Sequence, residues 1–594
     1  MRHQKSIVTF AFLFLFLVLS SFAQTPQLPL QSCKLPSWTE DVKCGKYEVF
    51  ENRATKQGRK IALRVVVLPA LSASHAPDPV FYLSGGPGAS AVETIIRAGK
   101  TYLAELRQNR DLVFIDQRGT GESNPLACNL YGDKNEMGAY FTEVFSLEKL
   151  RACQAELEKI ADLRQYTTSN AIADFDEVRG ALGYDKINLY GGSYGTQAAL
   201  YYLRQCPDRV RTATLMGTAP PDYKLPLKVP QSVQHALDLL FSDCAADTKC
   251  NTAFPKLKAD FEAALKHLDK GPVTFETANP FTGKLQKVTM TRAAFNEHVR
   301  VMLYNSEFMR WLPLTISFAG NDDFRLFASV AHQAFRIIED AIARGQHFSV
   351  VCAEDVPFIT PQEINAAIAG TFYGGARIEA YRKACEFWPS LKANESLLAP
   401  VKSNVPVLLI SGELDPVTPP SIAAATLPHL PNGKHVVIRN TAHAFSFPCV
   451  NDLVSTFIAK GSAKELDASC VQQIKRPAFV TSDDFTPVPV SSKPAAANNA
   501  QELWEGILDV GAAKLKLVLK LAKAADGSYT ATLDSPDQGA FDLPIDVVTV
   551  KDQTLHFEMK RLGASYEGKI SEKEVRGEWS QGGRSWPLNL QKKS

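Results

Sequence analysis

A serine hydroxyl is a poor nucleophile near neutral pH. It needs a base to take its proton, a carboxylate to orient that base, and N–H donors for the oxyanion. The chain holds a candidate for each part. Ser193 sits in Ile187-Asn188-Leu189-Tyr190-Gly191-Gly192-Ser193-Tyr194-Gly195-Thr196, an apolar strand pattern that ends in G-x-S-x-G ahead of a helix-forming stretch, 197–204. This predicts a sharp strand-to-helix turn, with glycines letting strand and helix approach and leaving Oγ exposed. The base candidate is His443, in the run Asn440-Thr441-Ala442-His443-Ala444-Phe445 just after the apolar Val436-Val437-Ile438. The acid candidate is Asp415, in Gly412-Glu413-Leu414-Asp415-Pro416, just past the apolar 405–410. Glu413 competes for that role; Pro416 fixes the turn after Asp415 and favours the latter. One oxyanion donor is the backbone N–H of Tyr194. The other belongs to Ser84-Gly85-Gly86-Pro87-Gly88, directly after Phe81-Tyr82-Leu83. Pro87 has no N–H, which leaves Gly86 or Gly88. This chemistry requires no metal and no organic cofactor.

These residues need strands to carry them. Val80–Leu83, Leu112–Ile115, Ile187–Tyr190, Thr212–Leu215, Val405–Ile410 and Val436–Ile438 are short and mostly continuous in apolar character. That is the pattern of a parallel sheet covered by helices on both faces, an α/β architecture. Between about 220 and 401 the alternation gives way to helical patterns at 232–241, 255–268, 292–316 and 324–344. These read as an insertion (221–400) that forms a lid over the strand ends. The core is then 24–220 together with 401–480. Residues 481–501, rich in Pro, Ser, Ala and Asn, form a linker. From 502 to 594 seven short alternating strands follow, at 515–521, 529–533, 546–550, 554–559, 566–570, 575–579 and 586–590. Asp526-Gly527 and Gly582-Gly583 mark turns between some of them, and the segment reads as an antiparallel β meander closing into a small barrel.

The ends and the composition bound the setting. Arg2, His3 and Lys5 precede an apolar run from Ile7 to Leu19 and a small-residue site before Gln24, so residues 1–23 form a signal peptide; a single membrane anchor is the competing reading. Removing them takes away Arg2 and Lys5 and lowers the formal charge from +2 to 0. A neutral chain argues against nucleic acid or an anionic membrane as partner. The 11 cysteines fit an exported protein, periplasmic or secreted. They group by proximity as Cys33 with Cys44, Cys128 with Cys153, Cys244 with Cys250, Cys352 with Cys385, and Cys449 with Cys470, leaving Cys206 over. No C-x-x-C spacing suggests zinc or redox chemistry.

Together, Gly85-Gly86-Pro87-Gly88, the run Asp116-Gln117-Arg118-Gly119-Thr120-Gly121-Glu122-Ser123, the Ser193 motif and the Asp415 and His443 loops resemble the α/β-hydrolase serine peptidases that include prolyl and tripeptidyl aminopeptidases. The resemblance covers roughly residues 33–480, and 405–470 is similar to the tripeptidyl-aminopeptidase-type C-terminal segment. One departure is Ser84, which stands where the family often has histidine. The resemblance implies an α/β-hydrolase core with a helical lid, and an aminopeptidase that releases short N-terminal fragments or residues from small peptides through an acyl-enzyme. It also implies acidic lid residues for the substrate's α-ammonium group; Glu354, Asp355 and Glu386 are the candidates, with Glu354 expected to contact the amine. Arg118 is read as a structural ion-pairing residue. An esterase or lipase acting on small acyl esters uses the same triad, and a non-catalytic binding protein on a hydrolase scaffold is a second alternative. A dehalogenase or epoxide hydrolase would carry aspartate at position 193.

Overall fold

The computed structural model describes residues 27–481 and 502–593, except 37, 39, 41, 100–102, 444–445, 510–513, 524–526, 536–539, 560–563 and 582–583. The expected signal peptide, nearly all of the linker, and most of the two turn signals in the C-terminal segment lie outside the described residues.

Eleven strands belong to the first 440 residues: β1 (Gln31–Cys33), β2 (Val42–Phe50), β3 (Lys60–Leu68), β4 (Val80–Leu83), β5 (Leu112–Ile115), β6 (Ile187–Gly192), β7 (Val210–Met216), β8 (Val273–Ala278), β9 (Leu285–Met290), β10 (Val407–Gly412) and β11 (Gly433–Ile438). Nine of them form one sheet in the order β1-β2-β3-β5-β4-β6-β7-β10-β11. From β5 to β11 every pairing is parallel, whereas β1, β2 and β3 add antiparallel strands at one edge. The continuous apolar runs follow from burial on both faces. Phe81, Leu83, Val113, Ile115 and Leu409 pack on one side with the helices Thr168–Ala181 and Tyr194–Gln205. Val80, Tyr82, Leu112, Phe114 and Leu408 pack on the other with Ala91–Ala98 and Pro448–Lys460. Each such side chain, fully buried, contributes about 1.5–3 kcal/mol.

The stretch between β7 and β10 is mostly helical and departs from expectation in two places. The hairpin β8–β9 interrupts it. The single helix expected over 292–316 is three: Arg292–Leu303, Ser306–Met309 and Leu312–Gly320. Asn305 breaks the run by capping the second helix through its side chain, and Pro313 opens the third. The break leaves Tyr304 at a helix end, where it reaches the site described below.

The C-terminal segment holds nine antiparallel strands rather than seven: β12 (Glu502–Asp509), β13 (Lys514–Lys523), β14 (Tyr529–Ser535), β15 (Ala540–Pro544), β16 (Val547–Lys551), β17 (Thr554–Met559), β18 (Ala564–Ile570), β19 (Glu574–Gln581) and β20 (Arg584–Lys593). They form a nearly closed, barrel-like sheet in the order β15-β14-β13-β12-β20-β19-β18-β17-β16. β12 escapes a period-2 reading because Leu503 and Ile507 face outward, 39% and 61% exposed, while Trp504 and Leu508 point in.

Five disulfides pair as proximity suggests: Cys33–Cys44, Cys128–Cys153, Cys244–Cys250, Cys352–Cys385 and Cys449–Cys470; Cys206 is free. Among the described residues no helix is long and apolar enough to cross a membrane.

The Asp116–Ser123 run is an anchoring device. The Asp116 carboxylate accepts hydrogen bonds from Ser90 Oγ and from the Val92 and Glu122 N–H groups, tying the end of β5 to the helix Ala91–Ala98. Arg118, fully buried, donates to both oxygens of Asp174 at 2.7 and 2.8 Å and to the carbonyls of Glu51 and Gln165. Burial raises the Asp174 carboxyl above its ordinary value even with Arg118 and Arg53 beside it. Such a pair gains little over an apolar replacement, but removing one member strands the other. Arg118→Met is therefore expected to lower the unfolding free energy by about 3–5 kcal/mol, as read by chemical denaturation, with smaller effects on the kinetics of the molecules that remain folded.

Candidate active site

Ser193 occupies the turn between β6 and the helix Tyr194–Gln205 with φ 55° and ψ −124°, a strained conformation for a residue with a side chain. Its N–H donates to Met216 O at 2.8 Å. The flanking glycines are required for close approach: a Cβ on Gly195 would stand 2.0 Å from Leu83 O, and one on Gly191 2.4 Å from Gly195 O. Side chains at either position would push the helix off the sheet.

His443 follows β11 and its Nδ1–H donates to Asp415 Oδ2 at 2.7 Å. This fixes the tautomer that leaves Nε2 as the basic nitrogen. Asp415, fully buried just past β10, also accepts from the N–H groups of Val417 and Thr418 at 2.8 Å and from Thr418 Oγ1 at 2.7 Å. Burial pushes its carboxyl up, but His443 and Thr418 outweigh that and hold it below the ordinary carboxylate value. Glu413, the competing acid, instead accepts from the Asn440 N–H at 2.9 Å, and so positions the start of the histidine loop.

Ser193 and His443 line one cavity of about 700 Å³, set between the carboxyl ends of the parallel strands and the helical insertion. A small peptide fits such a volume. Gly86 and Tyr194 line it as well, and Tyr194 opens its helix, where backbone N–H groups have no intrahelical acceptor. Gly88 does not line it. Gly88 lies against Ile342 and Ala343, and its carbonyl accepts from the Ala343 N–H. Of the two oxyanion alternatives in this loop, Gly86 is the one at the cavity.

Ser84 Oγ lies 3.4 Å from Thr94 Oγ1. A histidine holds the loop from the opposite side: His347 Nδ1 lies 3.0 Å from Pro87 O, and its Nε2 lies 2.8 Å from the Tyr381 hydroxyl. Burial keeps this imidazole well below its ordinary value, hence neutral, donating at Nδ1 and accepting at Nε2.

The acidic candidates separate cleanly. Asp355 is 2% exposed, lines the cavity, and its Oδ1 is buried without a hydrogen-bond partner. Burial, then the neighbouring Glu354, raise its carboxyl well above the ordinary value. Glu354 does not line the cavity. It turns to Thr168, accepting from the backbone N–H and from Oγ1, both at 2.6 Å, and Thr168 Oγ1 in turn lies 2.7 Å from the Tyr194 hydroxyl. Glu354 thus braces the helix that begins at the nucleophile, which departs from the expectation that it meets the amine. Glu386 is exposed at the end of the helix Ala376–Cys385 and is not part of the cavity wall.

Burial raises Glu354 to about 7 against the Thr168 hydrogen bonds. The folded protein therefore keeps a proton that the unfolded chain, with its carboxyl at 4.5, releases. Stability contributed by the protonated form is present below the unfolded value and declines as pH rises from about 4.5 to 7, by on the order of 3 kcal/mol for this group. Glu354→Gln is expected to flatten this decline, and melting temperatures measured from pH 4.5 to 8 check it.

Two further residues at the site carry no sequence motif. Tyr304 lines the cavity together with Ser193, and its ring centroid lies 4.4 Å from that of His443. Thr418 lies within the Asp415-Pro416-Val417-Thr418 turn, and its position three residues after the acid was a usable signal for a side chain that caps the carboxylate. Among the described residues no cluster of histidine, cysteine, aspartate and glutamate could hold a metal ion.

Residues 78–253 match the alpha/beta hydrolase fold family and residues 370–470 the TAP-like protein family. The chain is 24% identical over 463 residues to serine protease Hip1 of Mycobacterium tuberculosis, spanning 72% of this chain and 87% of the relative. It is 29% identical over 189 residues to tripeptidyl aminopeptidase of Streptomyces coelicolor, spanning 29% of this chain and 34% of that one. It is 31% identical over 151 residues to proline iminopeptidase of Neisseria gonorrhoeae, spanning 24% and 34%. The chain is an α/β-hydrolase of the serine-peptidase kind, with a TAP-like segment supplying the strands that carry Asp415 and His443.

Proposed function

We propose that the protein is an exported aminopeptidase that cleaves short peptides near a free N-terminus through an acyl-enzyme. Ser193 Oγ attacks the carbonyl carbon of the scissile bond while His443 Nε2 takes the hydroxyl proton. The tetrahedral oxyanion is held by the N–H groups of Tyr194 and Gly86. His443 then gives the proton to the leaving amine, and water repeats the sequence to free the acyl fragment. Asp415 keeps His443 oriented and stabilises the imidazolium. The five disulfides support export.

The observation that carries the aminopeptidase reading is Asp355: a buried carboxylate on the cavity wall with an unpartnered oxygen. A buried carboxylate without a counter-ion is costly, and a substrate ammonium relieves it. The names of the relatives, a tripeptidyl aminopeptidase and a proline iminopeptidase, agree with this assignment. Hydrolysis rates of aminoacyl-arylamides, their N-acetylated forms and short acyl esters test it. The free-amine substrates are expected to lead. Preference for blocked or ester substrates would replace this reading with an esterase.

A further inference from the structure

Opposite in sign to Asp355, three guanidiniums reach the same cavity from the helical insertion: Arg300, Arg344 and Arg377. Their counter-ions are two carboxylates. Arg344 is bound by Glu339 through Nε and Nη2. Glu297 serves both others, accepting from Arg300 Nη2 at 2.6 Å and from Arg377 Nη1 at 2.7 Å, while the Tyr373 hydroxyl donates to its second oxygen. Burial works against the Glu297 charge, yet Arg300 and Arg377 hold its carboxyl down at about 2, so it stays ionised. Two guanidiniums thus share the single carboxylate of Glu297.

The arginines are also held in place. Arg377 Nη2 donates to the Tyr381 hydroxyl at 2.8 Å, and Tyr381 leads on to His347 and Pro87 O. Arg377 Nε is buried with no acceptor. The Arg300 guanidinium sits 5.9 Å from the centroid of the Tyr304 ring, and Arg300, Tyr304 and Ser193 line the same cavity. A buried guanidinium with donors to spare is a preorganised carboxylate receptor, since its planar fork matches that group.

We propose that Arg300 and Arg377 bind a carboxylate of the substrate, so that the cavity takes peptides bearing an acidic group close to the scissile bond. The carboxylate comes either from an acidic side chain or from the free C-terminus of a very short peptide. The proposal rests on the peptidase reading above and deepens it: ammonium at Asp355, carboxylate at the arginines.

The test uses the full chain and free-amine peptides in matched pairs: glutamate against glutamine at each position near the cut, and C-terminal carboxylate against C-terminal amide. The acidic member of at least one pair is expected to show a kcat/KM higher by about tenfold or more, and the pair that responds identifies the source. In Arg300→Gln and Arg377→Gln the ratio within that pair is expected to fall towards one, and Arg300→Lys is expected to retain part of it. The ratio within a pair cancels a general loss of activity, and labelling of Ser193 by a fluorophosphonate shows that each variant is folded. Ratios near one for every pair in the unaltered protein, or ratios unchanged in both glutamine variants, overturn the proposal. N-acetylated versions of the same peptides separate the two readings. If free amines lead while acidic groups bring nothing, only the arginine subsite falls. If blocked peptides do as well but the carboxylate ratio persists and responds to Arg300→Gln, the subsite stands and the amine site falls.

Discussion

Replacing Ser193 by alanine is expected to reduce kcat by about 10⁶ while leaving the melting temperature unchanged. The magnitude follows from the division of labour. His443 is oriented by Asp415 at 2.7 Å, and Asp415 is saturated by the Val417 and Thr418 donors, so the imidazole is held in one orientation in the cavity that Ser193 also lines. Without Oγ no other group in the cavity can form the acyl-enzyme. The N–H groups of Gly86 and Tyr194 would still polarise a carbonyl, which sets the residual rate. Because the three side chains act as one unit, the double variant Ser193→Ala/His443→Ala is expected to be no slower than Ser193→Ala alone. Stability is unaffected because alanine meets the same backbone strain at φ 55° that serine does. Steady-state turnover of an aminoacyl-arylamide, together with thermal melts, checks both halves.

Asp355→Asn is the second large effect. The carboxylate lies in a site from which water is largely excluded, where losing one member of a charged pair costs about 3–5 kcal/mol. The kcat/KM for free-amine substrates is then expected to fall by about 10²–10³, since each 1.4 kcal/mol is tenfold. N-acetylated substrates are expected to hold steady or improve, because the asparagine amide does not repel a neutral group. The ratio of the two substrates is the reading to take. An equal loss on both would mean that Asp355 supports the fold of the insertion rather than the amine. Glu354→Gln differs in kind: its carboxylate braces Thr168 behind Tyr194, so its kinetic effect falls on both substrates together.

Much of the catalytic geometry is written locally in the chain. G-x-S-x-G dictates the turn at Ser193 because any side chain at 191 or 195 meets backbone, and proline after Asp415 shapes the turn that caps it. Most of the six core strands are legible because both of their faces are buried, which makes them mostly apolar. Edges and surfaces are harder. β12 was hidden because Leu503 and Ile507 face outward and spoil the alternation, and β8 and β9 lie in a region dominated by helical periods. Residues brought in by long-range folding left the weakest traces. Tyr304, Arg300 and Arg377 occupy ordinary helical sequence, and only the break at Asn305 and the packing of the insertion against the strand ends give them a place at the cavity. The acidic pair shows the same limit. Glu354 and Asp355 are adjacent in sequence, but the helix ends between them, so one faces the Tyr194 helix and the other the cavity.

The central claim is that Ser193 is a nucleophile driven by His443. Reaction with a fluorophosphonate, followed by peptide mapping in a mass spectrometer, tests it most directly. A single adduct on Ser193, absent in Ser193→Ala and strongly slowed in His443→Ala, is the predicted result. An adduct on another residue, or labelling of Ser193 at the same rate without His443, would contradict it.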